Sequence, residues 1–326
     1  MKSSSLNIWC NMGLPKSALD LLKQETASLN LLFPANLQAS NLVAASADPQ
    51  VHSADIVFGQ PDPAAVLEKN RLGWIQISSA GYERYDTPEF RAAVKSRGVI
   101  VTNSSSVYDE PCAEHVLAMM LALSRRLNEA QTRQQSDHGW PALDIRTRCH
   151  LLLGQSVLLL GFGAIGRRLV ELLAPFKVRM SAVRRSPDGS EPVPTFGVGE
   201  IGRLLAEADH VVNVLPGGRE TAGFMSRQRF EQMRPTALYY NVGRGSTDDQ
   251  AGLADALRAG RIGGAYLDVM VPEPLPAEHS LWTLPNCWIT PHSAGGHEDE
   301  HIRLVRHFAA NLRRFERGEA LRDRIM

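Results

Sequence analysis

VLLLGFGAIG, Val157 to Gly166, is the stretch on which the reading of this chain turns. Its apolar start reads as a buried strand and breaks directly into Gly161, Gly163 and Gly166, a G-x-G-x-x-G turn. In a βα unit the first glycine permits the tight turn, the second lets the backbone approach a pyrophosphate, and the third lets the helix pack closely on the strand. The pyrophosphate would rest on the helix N-terminus, where free N–H groups and the macrodipole favour an anion. Gly161, Gly163, Ala164, Ile165 and Gly166 are therefore candidate cofactor contacts. A glycine turn between strand and helix can also be purely structural, so its meaning depends on what lies downstream.

The chain has 326 residues, long for one core and comfortable for two domains, with 44% hydrophobic and 21% charged residues. Lys plus Arg equals Asp plus Glu at 35 each, so nothing in the overall charge points to a nucleic-acid or membrane partner. Any anion site must be local. Cys10, Cys112, Cys149 and Cys287 are scattered without metal-ligand spacing, which reads as reduced, buried filler in a cytoplasmic protein with no metal. Asparagines interrupt the opening MKSSSLNIWCNMG where a leader would need an unbroken apolar segment, and no apolar run has the ~18 residues of a membrane helix.

Before the glycine turn, LNIWC, LNLLF, ADIVF, LGWIQI and GVIVT alternate with helical patterns, the signature of βαβ units and a parallel sheet. SSAGYERYD, Ser78 to Asp86, follows the strand LGWIQI directly. Ligands of open α/β sheets sit at the carboxyl ends of strands, so N–H groups around Ser79, Ala80 and Gly81 are placed to hold a substrate carboxylate, the alternative being an ordinary glycine turn. A long helix is expected with Asp109 as cap and Pro111 in its first turn, burying Ala113, Val116, Leu117, Met120, Leu121 and Leu127. Asn128 to His150, which contains Trp140, lacks clear periodicity and reads as a functional loop or an arm towards a partner subunit.

Beyond the turn, strands are expected near 157–160, 178–183, 210–215, 237–242, 264–269 and 287–290, as in a doubly wound dinucleotide domain. One helix between them carries a capping-box pattern, Thr247 with Gln250, and a Gly260 stop. The last thirty residues, with Ile302, Leu304, Val305, Phe308, Leu312 and Phe315, read as an amphipathic helix that returns to the first domain.

Arg244, Glu273 and His292 fall just past the ends of strands, on the carboxyl edge where the glycine turn also lies. A guanidinium can bind the carboxylate of a 2-oxo acid and polarise its carbonyl, while an imidazolium donates a proton to the oxygen as hydride arrives at carbon. A carboxylate beside the imidazole would raise its pKa above the ordinary value of about 6.5. NVGRG, LDVMVPEPLP, LPNCWITPHSAG and GFGAIG, with weaker matches in SSAGYERYD, AEHVLAMMLALSRR and VLPGGRETAG, closely resemble the D-isomer-specific 2-hydroxyacid dehydrogenase family over roughly residues 75–300. The resemblance implies catalytic roles for Arg244, Glu273 and His292, and contact of Asp268 with a nicotinamide carboxamide. It extends the cofactor set to Leu215, Pro216 and Val242. Related formate dehydrogenases carry Gln where this chain has Glu273, which argues against that activity. Thr247-Asp248-Asp249 and Met270-Val271-Pro272 depart from the family's usual VDE and FEP, which puts substrate identity in doubt more than reaction type.

The resemblance implies an α/β chain of two Rossmann-like domains with parallel sheets, the cofactor domain doubly wound and the active site in a cleft. The expected substrate domain is 1–105 with 295–326, and the NAD(P) domain 106–294. The expected activity is reduction of a small 2-oxo acid, glyoxylate- or hydroxypyruvate-like, in a homodimer whose arm either brings Trp140 towards the partner's substrate site or uses Trp140 to anchor its own loop. Counting from the third glycine, Arg184, Arg185 and Ser186 stand where NAD-binding members carry an acid, so NADPH is expected over NAD. An NAD-linked phosphoglycerate-type dehydrogenase and a nucleotide-sensing corepressor-like protein are the alternatives. The first would need further basic residues and often a regulatory domain, and the second depends on appended tails.

Overall fold

A computed structural model describes residues 5–38, 40, 47–68 and 71–326. Residues 1–4 of the opening segment read above against a leader lie outside that set. The chain divides into two compact units, Met1–Tyr108 with His297–Met326, and Asp109–Gly296. Both are built on parallel sheets, and among the described residues no helix is long and apolar enough to cross a membrane.

In the first unit β1 (Asn7–Cys10), β2 (Asn30–Leu32), β3 (Ile56–Gly59), β4 (Trp74–Ile77) and β5 (Ile100–Thr102) form one sheet in the order β2-β1-β3-β4-β5. Alternate residues feed two cores: Ile8, Cys10, Ile56, Phe58 and Trp74 on one face, and Trp9, Val57, Ile75, Ile77 and Val101 on the other. Both faces are covered, which is why the strands read as unbroken apolar runs. The helix Glu300–Glu316 returns to the first face as expected, with Phe308 stacked on Phe58 at 4.3 Å and on Trp74 at 5.1 Å.

In the second unit β6 (Ser156–Leu160), β7 (Arg179–Val183), β8 (Thr195–Phe196), β9 (His210–Asn213), β10 (Leu238–Asn241), β11 (Gly264–Leu267) and β12 (Cys287–Ile289) are ordered β12-β11-β10-β9-β6-β7-β8. All six expected strands form; β8, two residues long, is too short to leave a pattern. The order reverses between β6 and β9, so the loops after β6, β7, β9 and β10 meet around a topological switch point, where open α/β sheets bind ligands. Burial pushes the Cys10, Cys112 and Cys287 thiols up to about 12, which makes them inert filler, although Cys287, like Cys149, is only half-buried as a residue.

Three local expectations need correction. The long helix runs Ser105–Ser124 with Pro111 inside it, because Asn103 Oδ1, not Asp109, accepts from the Ser105 N–H and hydroxyl at its start. Leu127 lies beyond it and is exposed. The segment after it is not irregular but holds two helices, Leu127–Gln135 and Ala142–Arg148, fastened by a forked Arg148–Glu129 pair at 2.6 and 2.9 Å. Neither helix buries a residue, so neither could show apolar periodicity. The capping box is absent. Thr247 donates its hydroxyl to the Arg244 carbonyl, and the helix Gln250–Arg258 is capped instead by Asp249, which accepts from Gly252 N–H at 2.9 Å.

Candidate active site

Gly161 has φ +92°, a left-handed turn that a side chain would strain, and a Cβ there would come within 3.3 Å of the Val214 carbonyl. Gly163 heads the helix Ala164–Leu173 without any side-chain cap, and a Cβ at Gly163 would meet nothing within 4 Å. Open space in front of the uncapped first-turn N–H groups of Ala164, Ile165 and Gly166 fits a pyrophosphate. Gly166 departs from its expected role, since a Cβ would sit at 3.5 Å or more from its neighbours, an ordinary contact.

The loop after β10 carries Val242, Gly243, Arg244 and Gly245. A Cβ on Gly243 would strike the Leu215 carbonyl at 2.6 Å, and one on Gly245 the Met270 backbone at 2.3 Å. Glycines therefore flank Arg244 because its loop is pressed between the loops after β9 and β11. Leu215 and Val242 are buried, and Pro216 follows at the switch point. The Arg244 guanidinium donates to the Gly243 carbonyl at 2.7 Å and acts electrostatically on Glu273.

His292 Nδ1 meets Glu273 Oε2 at 2.7 Å, and Glu273 Oε1 accepts from the Met270 N–H at 3.0 Å. Burial pushes the Glu273 carboxyl up, but the hydrogen bonds from His292 and Met270 and the charges of His292 and Arg244 outweigh it and hold the pKa below the usual carboxylate range. His292 is left-handed, φ +51°, a strained conformation for a residue with a side chain. Asp268 supports it. The Asp268 carbonyl accepts from His292 N–H at 2.9 Å, and its buried carboxylate accepts from Ser293 N–H, Ala294 N–H and the Thr290 hydroxyl. Nothing in the sequence around Thr290 or Asp268 announced this bracing, which depends on β11 and β12 being neighbours.

Arg184 directly follows β7, with Arg185 and an exposed Ser186 after it. The arginines are not free forks, however. Arg184 Nη1 bonds the partly buried Glu191 carboxylate at 2.7 Å and reaches Asp188 at 3.4 Å, while Arg185 pairs with Glu220 on the loop after β9. Reading along the strand end stops short of Glu191 and cannot reach Glu220, which arrives from 35 positions away.

In the first unit the turn Ser79–Gly81 has every carbonyl occupied: Ser79 by Ser104 N–H, Ala80 by Asn103 Nδ2 and Gly81 by the Ser79 hydroxyl. Among the described residues no acceptor takes the N–H of Ser79, Ala80 or Gly81, which leaves three donors for an anion. Trp140, between the two arm helices, is 92% exposed and so does not anchor its own loop.

A family model described as the NAD binding domain of D-isomer specific 2-hydroxyacid dehydrogenases matches residues 117–294. The chain belongs to the D-isomer-specific 2-hydroxyacid dehydrogenase family. It is an oxidoreductase of that family and uses a nicotinamide cofactor. The glyoxylate reductase/hydroxypyruvate reductase of Mus musculus is 33% identical over 70% of this chain and 70% of its own length. A D-isomer specific 2-hydroxyacid dehydrogenase family protein from Aeromonas salmonicida is similar in structure, with TM-score 0.76, 28% identity and 99% coverage of each chain. A probable 2-hydroxyacid dehydrogenase from Rhizobium etli, in complex with NADP, HEPES and L(+)-tartaric acid, has TM-score 0.79, 25% identity and coverage of 99% of this chain and 98% of that one.

Proposed function

We propose that this protein reduces a small 2-oxo acid, of the glyoxylate or hydroxypyruvate kind, to the D-2-hydroxy acid with NADPH as hydride donor. The observation that carries the reading is the 2.7 Å contact between His292 Nδ1 and Glu273, made beside Arg244 on the same sheet edge as the glycine turn. With Nδ1 engaged, Nε2 is the nitrogen left to hand a proton to the substrate oxygen, and Glu273 stabilises the imidazolium that must begin the step. Arg244 binds the substrate carboxylate and polarises the adjacent carbonyl, and the N–H groups of Ser79, Ala80 and Gly81 are suited to a carboxylate. Asp268 keeps the His292 loop in its strained turn. The names of the mouse relative and the Rhizobium etli structure support the substrate class and the cofactor.

The cofactor would lie with its pyrophosphate over Gly163, Ala164, Ile165 and Gly166, and along Leu215, Pro216 and Val242. It supplies the hydride. Arg184 is held by Glu191, so Arg185, exposed and able to swing, is the arginine that meets a 2′-phosphate, with Ser186 beside it. Glu220 must yield it. We assign Trp140, with the exposed Leu143, Leu151 and Leu153, to a contact with a second copy of this chain.

The experiment is a spectrophotometric screen of 2-oxo acids with both reduced nicotinamides. Turnover of glyoxylate or hydroxypyruvate with a higher kcat/KM for NADPH than for NADH is the expected result. A better kcat/KM with NADH would overturn the cofactor assignment, and no turnover of any 2-oxo acid would overturn the reading.

A further inference from the structure

β9 and β10 end side by side on two asparagines, Asn213 and Asn241, which are register partners and wholly buried. Each uses its carbonyl oxygen to accept the N–H two residues on: Asn213 from Leu215 at 3.1 Å, Asn241 from Gly243 at 2.9 Å. Each also turns its amide nitrogen towards the same carboxylate. Asn213 Nδ2 lies 3.1 Å from Asp248 Oδ1, beside its 2.8 Å contacts with the Tyr239 and Thr247 hydroxyls, Asn241 Nδ2 donates to Asp248 Oδ2 at 2.8 Å, and the Tyr239 hydroxyl donates to Oδ1. From this cluster two bonds run to the Arg244 carbonyl, from Thr247 Oγ1 at 2.6 Å and from Asn241 Nδ2 at 3.2 Å.

We propose that Asp248 is a positioning residue: its carboxylate clamps Asn213 and Asn241 together, so that the loop after β9 and the loop bearing Arg244 move as one piece and present the guanidinium at a fixed place. The proposal rests on the reading of Arg244 as the ligand of the substrate carboxylate. An amide at 248 would keep one acceptor oxygen but set its own N–H donors against buried donors on the other side, and so release one of the two asparagines from the shared side chain. An apolar cluster would pack these strand ends at lower cost, since burial of Asp248 raises its pKa to about 7 despite the hydrogen bonds from Tyr239, Asn241, Asn213 and Thr247 that face it. What an apolar cluster could not do is bind both neighbouring loops by directed bonds.

The test is steady-state kinetics of Asp248→Asn, of the exchange pair Asn241→Asp with Asp248→Asn, and of Arg244→Ala, with cofactor binding as the check on folding. Asp248→Asn should raise KM for the 2-oxo acid about tenfold, change kcat by less than about threefold, and leave the basic limb of the pH profile, set at Glu273 and His292, where it was. The exchange pair restores one acceptor opposite one donor and should bring KM back to within about threefold of the wild type. A KM in Asp248→Asn within about twofold of the wild type, or an exchange pair no better than the single variant, would overturn the proposal. Near-normal kinetics in Arg244→Ala would instead bring down the Arg244 assignment and this proposal with it, whereas loss of activity there beside an unchanged KM in Asp248→Asn would remove the positioning role alone.

Discussion

Glu273 touches the imidazole of His292 through Nδ1, so replacing it with Gln removes a charge from the proton donor while keeping the side chain's size. The His292 contact helps hold the Glu273 carboxyl ionised, so a negative charge stands against the imidazole at Nδ1. Glu273→Gln should therefore move the basic limb of the reduction profile to lower pH. An unmoved limb would contradict the pairing. Arg244, Glu273 and His292 were legible because each follows a strand end within a recognisable string. Asp248 was not, for its partners sit on two strands whose adjacency no spacing along the chain reveals.

The loops after β7 and β9 decide cofactor choice, and they do so together because they flank β6 in the sheet. Arg185 on one loop is paired with Glu220 on the other, an exposed pair worth at most about 1 kcal/mol. Glu220→Gln should tighten NADPH about two- to fivefold in a fluorescence titration without affecting NADH, and Arg185→Ala should weaken NADPH at least about tenfold. Equal responses of the two cofactors to either change would show that Arg185 does not meet the 2′-phosphate. Strands and the returning helix Glu300–Glu316 were readable because each buries apolar side chains at its own period. The arm helices leave no such period because they bury nothing, and Thr247 has the spacing of a cap but spends its hydroxyl on the Arg244 carbonyl, leaving the role to Asp249.

At the scale of the molecule, two parallel-sheet units and the return of the C-terminal helix to the first followed from the order of apolar runs, and the glycine turn sits where the strand order of the second unit reverses. The exposed Trp140, Leu143, Leu151 and Leu153 belong to the arm and the segment just beyond it, and a second copy of the chain would cover them. Light scattering at micromolar concentration should give a dimer, and Trp140→Ser with Leu143→Ser should weaken it; a monomeric wild type would exclude the contact. The central claim is that His292, braced by Asp268 and paired with Glu273, delivers the proton as a 2-oxo acid is reduced. Its most direct test is the turnover of glyoxylate by His292→Ala beside the wild type, with cofactor affinity measured on the same samples. Turnover lowered by about a hundredfold or more, with cofactor binding unchanged, is the predicted result, and turnover within a few-fold of the wild type would contradict it.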